Sequence, residues 1–199
     1  YPTDWEQLDF NDSTWSRTIF FEGASSMGGS MAYLLEPRNL PLLTWHKEHI
    51  ESTIRSSETT LPTFPASGKL EIPSGKIATF LIDQKYVTNG FPELIFSKGK
   101  NASIKIKYAE NLFDKNDEKG DRDNIKNKRL LGYYDSIVSN GKDAQKFIPN
   151  WMRTFRFVEF EIETKEQKLV LDSFINYRSR TNIASSASFT SDNEMYNNI

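Results

Sequence analysis

Ser103-Ile104-Lys105-Ile106-Lys107-Tyr108 alternates apolar and charged residues with a period of two, and Phe157-Val158-Glu159-Phe160-Glu161-Ile162 repeats the rhythm. Successive side chains on a β-strand point to opposite faces, so each segment has one dry face and one wet face. Ile104, Ile106 and Tyr108 are expected inward with both lysines outward. Val158, Phe160 and Ile162 are expected on one face, with Glu159 and Glu161 on the other. The two segments are read as strands of one sheet. Further β-rich runs are Ile77–Ile82, Leu94–Phe96, Tyr134–Val138, Lys146–Ile148 and Leu169–Tyr177. Asn89-Gly90, Lys98-Gly99-Lys100-Asn101 and Asn140-Gly141 separate them, and Asn and Gly close turns because both tolerate positive φ. Many short strands with turn signals between them predict an all-β, antiparallel β-sandwich.

Composition agrees with a folded domain. The chain has 199 residues, 37% of them hydrophobic, with 14 Phe, 8 Tyr and 4 Trp, enough apolar material for a sizeable core. The 25 basic and 27 acidic residues give a net charge of −2, and no dense Lys/Arg block is present. Nucleic acid is therefore not an expected partner, because such surfaces neutralise several phosphates at once. With no cysteine there is no disulfide, thiolate metal site or Cys nucleophile. No apolar run approaches the ~18 residues of a membrane span, and Tyr1-Pro2-Thr3-Asp4-Trp5 lacks a signal-peptide profile. A start at Tyr1 rather than Met is read as that of a processed protein or of a piece cut from a longer one.

The texture changes along the chain. Asp9-Phe10-Asn11-Asp12-Ser13-Thr14-Trp15 and a Gly/Ser/Met loop at Gly23–Ser30 precede Leu35-Glu36-Pro37-Arg38-Asn39-Leu40-Pro41-Leu42, where two prolines impose extended backbone, as at a crossing between modules. Glu58–Ser67, rich in Thr, Ser and Pro, reads as a connector. Ser191-Asp192-Asn193-Glu194 has the spacing of a capping box and predicts the start of a helix that the chain's end cuts short.

Several residue groups invite a chemical reading. Glu159, Glu161 and Glu163 would project from one strand face roughly 6.7 Å apart, at ~3.3 Å per residue. Such pairs serve glycoside hydrolysis, so a sandwich-fold glycosidase using Glu159 and Glu161 is one alternative; a wetted face neutralised by Lys105 and Lys107 is the other. His46 and His49 would share a face if helical, yet three-residue spacing is not that of a zinc peptidase, and surface histidines are the plainer reading. Asp114–Asn124 is dense in oxygen ligands for calcium, but Lys119 and Ile125 occupy the positions where an EF-hand needs Gly and Glu. Gly68 and Gly75-Lys76 do not match a phosphate loop. In Trp151-Met152-Arg153-Thr154-Phe155-Arg156-Phe157, exposed Trp151 would stack on a sugar and Arg153 would grip hydroxyls or carboxylates; otherwise Trp151 and Phe155 fill the core and the arginines pair with acids.

The order of these pieces resembles bacterial α-L-rhamnosidases, especially those of gut Bacteroidetes. Asn150-Trp151-Met152-Arg153-Thr154-Phe155-Arg156-Phe157 is similar to their Trp-x-Arg-Thr-aromatic-Arg-aromatic strand. Lys119-Gly120-Asp121-Arg122-Asp123-Asn124 followed by Gly132-Tyr133-Tyr134-Asp135 resembles their Lys-Gly-Asn-Arg-Asn loop and Gly-x-x-Asp, with Asp123 standing in place of Asn. Tyr108-Ala109-Glu110, Leu35–Pro41 and Phe189-Thr190-Ser191-Asp192-Asn193-Glu194 match a strand end, a module junction and a helical-barrel start of the same group.

The resemblance implies a concanavalin-like or jelly-roll sandwich that precedes an (α/α)6 barrel, where the barrel performs inverting hydrolysis of terminal rhamnose. Residues 1–49 would end a preceding galactose-binding-like β module, 50–67 would link, 68–180 would form the sandwich, and 181–199 would lead into the catalytic helices. No catalytic residue, cofactor or metal is assigned to this chain, and a carbohydrate-binding module is the alternative from another class. Arg122, Asn124, Trp151 and Arg153 are the candidate carbohydrate or inter-module contacts. The implied partners are rhamnose-containing glycans and the barrel in cis, and the implied location is periplasmic or secreted.

Overall fold

The computed structural model describes residues 5, 7–19, 37–57, 62–182 and 187–198. The Gly23–Ser30 loop, residues 35–36 of the proline-flanked junction and residues 58–61 of the connector lie outside the described residues. Among the described residues nine strands follow in order: β1 Thr44–Glu48, β2 Thr53–Ser56, β3 Leu70–Ile72, β4 Ile77–Lys98, β5 Ser103–Ala109, β6 Tyr133–Val138, β7 Gln145–Phe147, β8 Arg153–Glu163 and β9 Leu169–Arg180. Their sheet order is β1-β9-β4-β8-β5-β6, with β2 and β7 also on β4 and β3 on β9. The pairings of β4 with β2, β7, β8 and β9, of β5 with β6 and β8, and of β3 with β9 are all antiparallel. The fold is an all-β sandwich, and no α-helix occurs among the described residues.

Two layers arise from one continuous sheet because β4 doubles back. Phe80 near its start faces Phe160 of β8, and Leu94 near its end faces Phe174 of β9. Fourteen residues of straight strand would separate those partners by roughly 46 Å, at ~3.3 Å per residue. Yet the Phe160 and Phe174 rings meet edge to face at 5.1 Å. The bend begins where the β4–β8 register shifts between Asp83 and Thr88 and Lys85 takes a φ of 73°. It ends at Gly90, which pairs with Arg153 of β8 and with Arg178 of β9. A Cβ at Gly90 would lie 2.3 Å from the Tyr177 carbonyl oxygen, so a side chain there is incompatible with the crossing. Asn89-Gly90 is therefore no hairpin turn but the interior of a 22-residue strand.

The space between the layers is filled with aromatic rings. Phe80 and Phe160 stack at 4.7 Å, and Phe64 contacts both edge-on. Ile104, Ile106 and Tyr108 point inward together with Val158, Phe160 and Ile162, as the alternation predicts. Of residues 50–67, expected to be a linker, the described ones, 50–57 and 62–67, pack as part of the domain instead. Ile50 and Phe64 are fully buried, β2 pairs with β4, and the Thr53 hydroxyl donates to the Phe64 carbonyl at 2.7 Å. The Gln84 amide donates to the His49 carbonyl and accepts from the Glu51 N–H, tying the start of this segment to β4. Pro and Ser suppress the strand signal there, while two large apolar side chains decide where the segment packs.

By packing, the chain divides into two units: Tyr1–Phe21 with Trp45–Ser179, and Glu22–Thr44 with Arg180–Ile199. Trp45–Glu48, assigned to a preceding module from sequence, belongs to the first unit through β1, which neighbours β9. In the second, the helix expected after Ser191 is a single 3-10 turn, Glu194–Asn198. Ser191 Oγ accepts the Asn193 N–H, and Asn193 Oδ1 accepts the Met195 N–H, so both caps act over two residues rather than three. No described helix is long and apolar enough to cross a membrane.

Replacing Phe160 by Ala should lower the unfolding free energy by about 3–5 kcal/mol, since the cavity would open among three other rings. Ile77→Ala, at a side chain 72% exposed, should change it by less than about 0.5 kcal/mol. Urea titration of both variants followed by near-UV circular dichroism checks the contrast.

Candidate functional site

On the wet face of the sheet the period-two carboxylates are matched by cations. Lys107 is directly opposite Glu159 and Lys105 opposite Glu161 in the β5–β8 register. Lys107 bonds both carboxylates, Lys105 is 3.5 Å from Glu161, and Arg55 of β2 is 3.7 Å from Glu159. Burial acts to raise the Glu161 carboxyl, but the hydrogen bond and charge of Lys107, with the charge of Lys105, outweigh it and hold the group below its ordinary range. Burial likewise acts to lower the Lys107 ammonium, and its bonds to Glu161 and Glu159 raise it instead. Both groups are thus fixed in their charged forms, the reverse of a general acid, whose carboxyl must be raised toward neutrality.

The histidines do not converge. His46 lies in strand β1 rather than a helix, and both His46 and His49 are exposed. An odd spacing of three along extended backbone sends two side chains to opposite faces. Among the described residues no group of three or more His, Cys, Asp or Glu is placed to hold a metal.

The loop 114–124 has its own internal cation. The Lys128 ammonium donates to the carbonyl oxygens of Lys119 and Asp121 at 2.5 and 2.6 Å, engaging the type of oxygen that would ligate calcium. The Asp114 carboxylate accepts the N–H groups of Glu118 and Asn116, and these bonds hold its carboxyl below the usual range. Leu112, Ile125 and Leu130 pack on Leu81 and Phe157, forming a second apolar cluster. Arg156 completes the attachment. Its guanidinium grips Asp83 at the β4 bulge through Nε at 2.8 Å and reaches Asp123 in the loop through Nη1 at 2.7 Å. The loop is thereby fastened to the sheet. Arg122 and Asn124 remain exposed, Asn124 accepting the local N–H of Lys126, and neither lines the cleft described next.

Trp151 and Arg153 do come together, at a cleft of about 530 Å³ lined also by Tyr108, Glu110, Tyr133, Met152 and Thr154. The β-ladder builds it. Tyr108 pairs with Tyr133 across β5–β6 and with Val158 across β5–β8, so Tyr133 shares the face of Tyr108, Asp135 and Ile137. Further along, that face is the core; at this end it opens to solvent. Asp135 is 3% exposed, and a carboxylate so buried needs a partner. Arg153 supplies it with a two-pronged pair, Nε–Oδ2 at 3.0 Å and Nη2–Oδ1 at 2.5 Å, while its guanidinium lies 5.6 Å from the Tyr108 ring centre. Trp151 is 73% exposed and Tyr133 84% exposed. Of the two sequence readings for this strand, Phe155 fills the core and the arginines pair with acids, but Trp151 stays in solvent. An adjoining recess of about 230 Å³ shares Tyr108, Glu110, Tyr133 and Thr154 and adds Lys119 and Gly132. Gly132 has no alternative, because a Cβ there would sit 2.0 Å from the Tyr108 carbonyl oxygen.

Sequence reasoning did not assign Glu110, Tyr133, Asp135 or Thr154 to a site. The usable signal was the pairing of Tyr108-Ala109-Glu110 with Gly132-Tyr133-Tyr134-Asp135, which only the antiparallel register of β5 and β6 turns into a location.

No family model and no curated protein matches the sequence. Among solved structures, the fold is similar to a rhamnosidase from Klebsiella oxytoca with rhamnose bound, at 12% identity and a TM-score of 0.57 over 79% of this chain. It is also similar to a GH78 family rhamnosidase of Bacillus sp. GL1, at 14% identity and a TM-score of 0.52 over 68% of this chain. The chain spans 33% and 13% of the lengths of those proteins. The likeness is one of fold.

The Asp83–Arg156 pair carries a pH signature. Burial acts to raise the Asp83 carboxyl, but the Arg156 hydrogen bond, the Lys85 N–H and both cationic charges outweigh it and lower it from 3.8. As pH falls the unfolded chain therefore takes up this proton first. The stability from the pair is complete above the ordinary carboxylate range and is lost as pH drops through the lowered folded value. Asp83→Asn should cost up to about 3–5 kcal/mol at neutral pH, because the buried guanidinium keeps only the solvent-exposed Asp123 as a charged partner. It should also flatten the acid limb of stability against pH, read from urea midpoints between roughly pH 5 and pH 2.

Proposed function

We propose that this chain is a non-catalytic β-sandwich portion of an α-L-rhamnosidase of the gut Bacteroidetes type, and that it braces an inverting (α/α)6 barrel lying in the same polypeptide. The parent would be periplasmic or secreted and would act on rhamnose-containing glycans. One observation carries the reading: a fold similar to parts of two rhamnosidases keeps its strand carboxylates in ion pairs instead of offering them as acid and base. The collinear motifs from Tyr108-Ala109-Glu110 to Trp151–Phe157 support the same family. A bracing role suits the mechanics. The sheet is one continuous structure closed on an aromatic core, and its longest loop is fastened by a buried arginine and a second apolar cluster.

The 199 residues alone should release nothing from an aryl α-L-rhamnoside, and the parent protein should turn it over. Glu159→Gln with Glu161→Gln in the parent should leave kcat within about twofold, since Lys107 engages both carboxylates in ion pairs. Turnover by the isolated chain, or a collapse of kcat in that double variant with the fold intact, would overturn the proposal in favour of a sandwich glycosidase.

A further inference from the structure

We infer that the cleft between Trp151, Tyr133 and Glu110 is a binding site for neutral saccharides. This inference stands on the cleft's own chemistry and does not rest on the rhamnosidase reading. Its volume of about 530 Å³ falls within the ~300–1,000 Å³ of ligand clefts. A sugar ring presents an apolar C–H face and a rim of hydroxyls, so its site needs an exposed aromatic surface beside polar groups. Trp151 and Tyr133, at 73% and 84% exposure, are such surfaces, and both line the opening. The Thr154 hydroxyl both donates and accepts, and the Glu110 carboxylate offers acceptors in a fork suited to adjacent hydroxyls.

Charge decides between neutral and anionic ligands. Arg153 is the only cation lining this cleft among the described residues, and both prongs of its guanidinium are committed to Asp135. The neighbouring Glu110 adds a negative charge, and Lys119 lines the adjoining recess rather than this cleft. An incoming uronate or sulfate would face net repulsion, whereas hydroxyls would find acceptors. The surface also contains a second exposed tryptophan, Trp45, but one face of its ring is covered by Phe91, stacked at 4.9 Å and 7°, and it lies outside the cleft.

The test titrates the 199-residue chain by calorimetry and saturation-transfer NMR with L-rhamnose, methyl α-L-rhamnoside, D-galactose and cellobiose, and with galacturonate and digalacturonate. At least one neutral sugar should bind saturably with a Kd in the millimolar range or tighter, and the uronates at least tenfold more weakly. Trp151→Ala should weaken the neutral sugar at least tenfold, Tyr133→Ala severalfold, and Trp45→Ala should leave it unchanged. Glu110→Gln should weaken it severalfold and narrow its margin over the uronates. Thermal melts within a few degrees of the parent chain establish that the variants fold. No saturable response from any neutral sugar, preference for the uronates, or binding that survives Trp151→Ala and fails in Trp45→Ala would each overturn the inference.

Discussion

Strand β4 must serve two layers, and the rest of the fold follows from how it does so. It pairs with β2 near its start, with β8 from Ile77 to Gly90, and with β7 and β9 toward its end, so four other strands depend on its path. A strand that bends this sharply has to interrupt its ladder somewhere, and bulges are where extra twist is tolerated. Here the interruption runs from Asp83 to Thr88, and Gly90 admits the close backbone approach that follows. The buried Asp83–Arg156 pair sits at that interruption. It costs desolvation of two charges, offset by a two-pronged geometry and by the third partner, Asp123.

The same arginine links architecture to the polar loop. A segment as charged as Asp114–Arg122 has little apolar area with which to dock itself. It is held by Arg156 from the sheet, by Lys128 from within, and by Leu112, Ile125 and Leu130 at its two ends. Asp123, whose carboxylate differs from the amide of the resembling loops, forms a charge-assisted bond that an Asn would make more weakly.

The dry ends and wet faces of the sheet divide the labour. Charge on the outer face is matched strand by strand, Lys107 meeting Glu159 and Lys105 meeting Glu161. At the open end of the inner face, the core runs out of apolar partners and its last members, Tyr108 and Tyr133, become the floor and mouth of a cleft. Asp135 and Arg153 satisfy each other there, which removes a cation from the cleft's chemistry while leaving the Glu110 carboxylate beside it.

Alternation alone determined which faces of β5 and β8 are dry, because a period of two maps directly onto side-chain direction. That Lys105 and Lys107 meet Glu159 and Glu161 was one of two open readings, and the β5–β8 register decided it. Composition and turn residues likewise sufficed for the all-β class. What tertiary structure decided were the features in which residues distant in sequence share one environment. Asn89-Gly90 reads as a turn to any local rule, and only the approach of Tyr177 makes it a crossing point. Residues 50–67 look like a linker until Phe64 finds Phe80 and Phe160. Trp151 could equally have been core or surface, and its exposure was set by where β8 begins relative to the end of the core. Local pattern encodes direction along a strand, whereas the place at which a packed layer stops depends on the register of every strand in it.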